Sequence, residues 1–401
     1  MTLLVESPCQ VKINNQDEPT RWRGPFGNGI YPEVGLLKEW PVDGPEILWT
    51  FDSLGHGFSS AVIQNGSLFT MGMSEGVGYL YKLNLEGELI YKVPYGPEFT
   101  KSTRGSRGSP VLAGDIIYLE SGMGKLVCLN TKDGKELWSK ELFKDFDGDN
   151  IDYGMNETPV VDGDVIFATP GGPKNNVIAL NRHSGELIWS CPGEGELSAE
   201  CTPLLFEHNG IKILATHTAS HLLGIDAKTG ELLWSESQPG EYSIHSNTPI
   251  YHEGELYYLT GFNQGGGMLK LAGDGNSVSV KWTNKVGDLR SGGAVMVDGY
   301  IYESFEQESR VIWRCLDWTT GEEKYVSRTI GPGNVIYADG MLYCYTLRGE
   351  LALIKADPST FEVVSKTKVP FGSAQHLAHL TIHQGVLYLR HGSAMIAYKV
   401  K

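Results

Sequence analysis

The chain has 401 residues, 41% apolar and 20% charged, with 33 Lys and Arg against 48 Asp and Glu. That mix is enough to close a core and holds no run near the ~20 apolar residues of a membrane-spanning helix, which excludes wholesale disorder and a helical span. The net charge of −15 argues against nucleic acid and anionic lipid as partners, because phosphate recognition needs clustered Lys and Arg.

The first residues, Met1 to Glu6, lack the basic and apolar stretches of a secretory signal. The expected location is periplasmic or secreted with the signal removed, and the cytoplasm otherwise. Residues 1–45 read as an irregular segment; Arg21-Trp22-Arg23-Gly24-Pro25-Phe26-Gly27-Asn28-Gly29 has the Gly and Pro density of a fixed loop with aromatic anchors, expected to plug or clasp the rest. Residues 46–401 are expected to form a single domain. Within it, Glu46 to Phe51 has the pattern of a strand that precedes any partner.

From there the chain repeats. Glycines that break short apolar strands stand at 66, 114, 163, 210, 254, 299, 340 and 385, at intervals of 41 to 49 residues. About 20 residues after several of them an 11-residue phrase recurs, as in Cys128 to Trp138, Ala179 to Trp189 and Gly224 to Trp234, with a Tyr-ended copy from Cys315 to Tyr325. Asn or Asp opens its turn, Gly takes the positive φ and an aromatic follows on the next strand. A period in the forties with four short strands per unit predicts an all-β, eight-bladed propeller of four-stranded antiparallel blades. The last unit lacks an outer strand, and Glu46 to Phe51 is expected to supply it and close the ring. No sustained 3.6-residue apolar period occurs, so helix is expected to be negligible.

The phrase ending in Trp138, Trp189 and Trp234 resembles the tryptophan-docking motif of quinoprotein-like, pyrroloquinoline-quinone-type β-propellers, over residues 46–400. That resemblance implies the fold. It leaves function open, because the family includes quinone-dependent dehydrogenases and scaffold propellers of outer-membrane assembly.

Chemistry is expected on the face that carries the loops entering the innermost strands. The entry loops align on Ser or Thr before Pro, at Ser109, Thr158, Thr202 and Thr248. Candidate ligand-binding residues are His56, Arg104, Arg107, Asn156, Asn247, Arg290 and Asn334; candidate catalytic residues are Glu157, Glu200, His245, His376 and His379. Their mixture of acids, bases and cations suits a polar or anionic small molecule or a glycan, and the face also suits a protein partner. Entry-loop Asn, Thr and Ser have the alternative role of satisfying backbone groups near the axis. One acidic run, Asp145, Asp147, Asp149 and Asp152, leaves calcium open as a ligand, although its Gly comes one position early and no Glu stands at the twelfth place.

Three functions compete. A binding module that breaks no bond is favoured. A carbohydrate-active lyase or glycosidase would use His, Glu and Arg of the funnel, with Glu157 and Glu200 as the obvious carboxylate pair. A quinone-dependent dehydrogenase fares worst, since the sequence has neither adjacent cysteines nor a haem-binding CxxCH, so no quinone and no other cofactor is expected. A monomer is expected, and a Cys191–Cys201 bridge is left open.

Overall fold

The computed structural model describes residues 19–239, 244–261, 265–284, 293–307 and 310–401. They form eight sheets. Blades 1 to 8 comprise residues 62–97, 111–141, 160–191, 204–237, 250–284, 295–327, 333–368 and 381–399, the last completed by Ile47–Phe51. Helix among the described residues is limited to Leu142–Asp145. Within a blade the strands pair antiparallel in chain order, with Val111 opposite Tyr118 and Tyr118 opposite Cys128 in blade 2. The core lies between blades: Val111, Tyr118 and Cys128 of blade 2 pack on Val161, Ile166 and Ile178 of blade 3. A four-stranded sheet buries both faces only against its neighbours, so the apolar pattern forces a ring. The cysteines at 128, 191, 201, 315 and 344 are free and buried, so Cys191 and Cys201 are not bridged.

Ile47–Phe51 pairs antiparallel with Ala394–Lys399, placing Ile47 opposite Tyr398 and Trp49 opposite Ala397. The Trp49 indole N–H then reaches into blade 1 and donates to the Leu85 carbonyl at 2.7 Å. The recurring phrase therefore works across blades. Trp138 donates to the Arg182 carbonyl at 2.9 Å and Trp189 to that of Ala227 at 3.1 Å, each in the next blade's turn. The turn glycine is required twice over: Gly185 has a φ of +71°, and a Cβ there would lie 2.9 Å from the Trp138 ring. Trp49→Ala removes this docking at the ring's seam, so urea unfolding is expected to show a loss of about 3 kcal/mol. An unchanged midpoint would contradict a closure role for the strand.

Residues 19–31 of the N-terminal segment lie against the innermost strands of the ring. Thr20 makes an antiparallel bridge to Leu112 on the innermost strand of blade 2. The Arg23 guanidinium donates to the Ala294 carbonyl at the start of blade 6, at 2.5 Å. Ile30–Tyr31 adds in parallel to Tyr337 and Ala338 on the innermost strand of blade 7. The chain then runs outward: the Leu36 N–H donates to Asp339 at 2.8 Å, Lys38 pairs with the same carboxylate at 2.7 Å, and the Trp40 N–H donates to the Ser365 hydroxyl at 2.9 Å. Residues 19–31 thus occupy the central channel by pairing with the free edges of its innermost strands, groups that would otherwise need water.

Candidate functional site

The entry loops are joined by a chain of hydrogen bonds. The His379 N–H donates to the Ser60 hydroxyl at 3.1 Å, the Ser60 N–H to Ser109 at 3.0 Å, the Ser109 N–H to Thr158 at 3.2 Å and the Thr158 N–H to Thr202 at 3.0 Å. Each bond crosses from one blade to the next, so the aligned Ser and Thr have a structural role.

Above this ring lies a cavity of about 490 Å³, within the range of small-molecule sites. Its walls include Phe58, Arg107, Asn156, Glu200, Ser246 and Leu377. Each of these stands two residues before the ring position of its loop, at Ser60, Ser109, Thr158, Thr202, Thr248 and His379. The residues one place before the ring, Ser59, Glu157, Cys201 and Asn247, are buried and outside the cavity lining. In extended chain successive side chains point to opposite sides, so one residue of offset decides between cavity and blade interface. Trp22 from the axial segment also lines the cavity, together with Tyr153 and His379.

The charged groups hold one another in place. Arg107 donates through Nη2 to the carbonyls of Ser102 and Thr103 at 3.3 and 3.0 Å, and its buried Nε has no partner. Burial lowers its pKa, with Glu200 opposing. The Glu200 carboxylate accepts from Asn156 Nδ2 at 3.1 Å. Burial raises its pKa despite Arg107 and Asn156. His379 lies 3.3 Å from Arg23 through Nδ1, which must accept because a guanidinium only donates. The Trp22 and His379 rings meet edge to face at 4.8 Å. Arg23 is buried among neutral acceptors, and burial pushes its pKa down to about 10.

Of the sequence candidates, the structure brings Arg107, Asn156, Glu200 and His379 to this cavity. Glu157 instead hydrogen-bonds Thr169. Burial, reinforced by Glu120, raises its carboxyl well above the ordinary value. His245 is fully buried, with Nε2 3.2 Å from the Ala219 carbonyl and its ring stacked on His217 at 4.9 Å. His376 stacks on His391 at 3.7 Å and lies 2.6 Å from the Tyr345 hydroxyl. Asn247 accepts the Gly293 N–H at 3.0 Å, and Asn334 donates to the carbonyls of Leu377 and Ala378. His56 and Arg104 are exposed outside the cavity lining. Arg290 lies outside the described residues. Sequence reasoning missed Trp22, Tyr153 and Leu377 as lining residues; the two-residue offset from the aligned positions was the available signal for Leu377.

In the acidic run, Asp145 accepts the Glu141 N–H at 2.9 Å, Asp147 lies 3.9 Å from Lys174, and Asp149 accepts the Asn150 N–H at 2.8 Å; Asp152 is exposed. Among the described residues no three His, Cys, Asp or Glu side chains converge as a metal ion would require. No helix among them is long and apolar enough to cross a membrane.

A family model described as outer membrane protein assembly factor BamB matches residues 42–325. The chain belongs to that family. Among solved structures it is similar to BamB from Moraxella catarrhalis, with a TM-score of 0.62 and 13% identity over 88% of this chain and 99% of that one. It is also similar to quinohemoprotein alcohol dehydrogenase from Comamonas testosteroni, with a TM-score of 0.69 and 12% identity over 96% of this chain and 80% of that one. The computationally designed Ika8 protein matches with a TM-score of 0.57 and 11% identity over 89% of this chain and the whole of the other. No curated protein matches in sequence. At these identities the structural likenesses show the fold.

The quinone that some propellers of this fold carry fits the cavity poorly. Pyrroloquinoline quinone brings three carboxylates, whereas the described lining offers Arg107 as its one guanidinium and sets the Glu200 carboxyl nearby. Trp22 takes up part of the lining, and no three His, Cys, Asp or Glu side chains among the described residues stand together as cation ligands.

Proposed function

We propose that this BamB-family propeller is a binding module that takes a polar small molecule or glycan in its funnel and breaks no bond. One observation carries the reading: loops from blades 1 to 5 and 8, together with Trp22 of the N-terminal segment, converge on one cavity of about 490 Å³. In this reading residues 1–45 serve the ring as its plug, residues 46–401 are the ring, and the protein acts as a monomer. The family's description supports the periplasm as its location. It also supports a protein partner as the alternative occupant of this face.

A glycosidase gains no support from the geometry. Glu157 faces Thr169 while Glu200 lines the cavity, so the expected carboxylate pair does not share one space. Asn156→Trp is expected to fill the funnel and weaken binding of a small ligand at least tenfold in calorimetric titration while leaving the melting temperature of the free protein within 2–3 °C. Ligand binding that survives this substitution would remove the funnel from consideration.

A further inference from the structure

The polar groups of the funnel are unequal in kind. The hydroxyl oxygens of Ser109, Thr158 and Thr202 each accept a backbone N–H from the neighbouring blade, and all three residues line the cavity. With an acceptor lone pair of each engaged, these hydroxyls are left with a proton to donate. Arg107, a donor-only group, lines the cavity and is anchored by Nη2, which donates to the Ser102 and Thr103 carbonyls. Glu200 is the one carboxylate among the described lining residues, and one of its oxygens already receives Asn156. One side of the cavity therefore sets a guanidinium beside three hydroxyls that can donate. Trp22, Phe58 and Tyr153 give the remaining lining three aromatic side chains. The Trp22 ring meets that of His379 edge to face, and the Arg23 guanidinium lies 5.6 Å from its centroid.

Resting on the funnel-binding reading above, we infer that the ligand is an acidic sugar, a pyranoside whose carboxylate meets Arg107 and the hydroxyl row while its ring packs on Trp22. A carboxylate satisfies several donors at once and pairs with a guanidinium. A pyranose presents a C–H face to an aromatic ring and hydroxyls to the second oxygen of Glu200. A peptide C-terminus shares the carboxylate but supplies no ring for Trp22, which makes it the competing outcome of the test.

The experiment is calorimetric titration of the full chain with digalacturonate and with its dimethyl ester, which keeps the rings and removes the charge. The acid is expected to bind at least tenfold more tightly than the ester. Arg107→Gln should bring the two within about twofold by weakening the acid alone, and Trp22→Ala should weaken both at least tenfold, with melting curves checking that each variant is folded. Equal affinity for acid and ester, no binding of either, or full affinity in Trp22→Ala would each overturn the inference, as would tighter binding of an acetylated tripeptide carboxylate than of digalacturonate. A ligand that is blocked by Asn156→Trp yet indifferent to Arg107 and Trp22 would remove the acidic sugar and leave the funnel reading standing.

Discussion

Glu120→Gln is expected to make the protein more stable at pH 8, by on the order of 3 kcal/mol, and to change little near pH 4. Glu120 ends the second strand of blade 2, is 3% exposed, and neither carboxylate oxygen has a hydrogen-bond partner. Burial, with Glu98 adding repulsion, raises its pKa from 4.5 to about 8. In the folded protein the group therefore keeps its proton where the unfolded chain has lost it. A raised pKa of this kind contributes stability fully below about pH 4.5, and that contribution disappears as pH climbs towards 8. Glu98 and Glu157 shift the same way, chiefly by burial. The buried histidines act oppositely: burial and mutual repulsion put His217 well below 6.5, and burial with His391 pushes His376 to about 4. Their contribution is present above pH 6.5 and is lost as pH falls through the lowered values. Above about pH 6.5 only the carboxyl contribution is still falling and below about pH 4.5 only that of the histidines, so wild-type stability should peak between these values and decline on both sides. Urea titrations at pH 4, 6 and 8 check this; a Glu120→Gln protein no more stable than wild type at pH 8 would show that the carboxylate is solvated or paired.

The second large effect concerns blade 6. Arg314 Nε donates to Glu303 at 2.6 Å, Tyr257 donates to the other carboxylate oxygen at 2.9 Å, and Glu303 and Arg314 are 0% and 2% exposed. Burial works against the Arg314 charge, but Glu303, with Tyr257 and Glu323 adding to it, outweighs burial and holds the guanidinium above its ordinary pKa. Glu303→Ala would leave that charge buried and alone, for an expected loss of about 3–5 kcal/mol. The Glu303→Leu, Arg314→Met double variant should lose much less, because no unpaired charge remains. Denaturant midpoints of the singles and the double decide between this and simple loss of packing, in which case the double would be the worst of the three.

The fold was largely legible in the chain. Eight glycines at a spacing in the forties announced eight sheets, and the Glu46 to Phe51 pattern announced the closing strand, because each depends on local turn chemistry and on alternation along one strand. The phrase ending in Trp was legible as a turn but not as a link: that Trp138 binds the Arg182 carbonyl depends on the next blade's position, which no single repeat encodes. At the funnel, residue types were legible while directions were not. Glu157 and Glu200 read as a pair, yet they stand one and two residues before their ring threonines in the entry loops, and that offset sends the first to Thr169 and the second to Asn156.

By itself, then, the sequence determined what repeats: strand, turn, blade number and the seam, all products of short-range backbone preferences and apolar alternation. Tertiary structure decided what does not repeat. Only the closed ring brings loops from six blades to one cavity, and only its unpaired innermost edges give residues 19–31 a place to pair and so set Trp22 in one lining with Arg107 and Glu200. Those edges are a property of the assembled circle, where water would otherwise have to satisfy them.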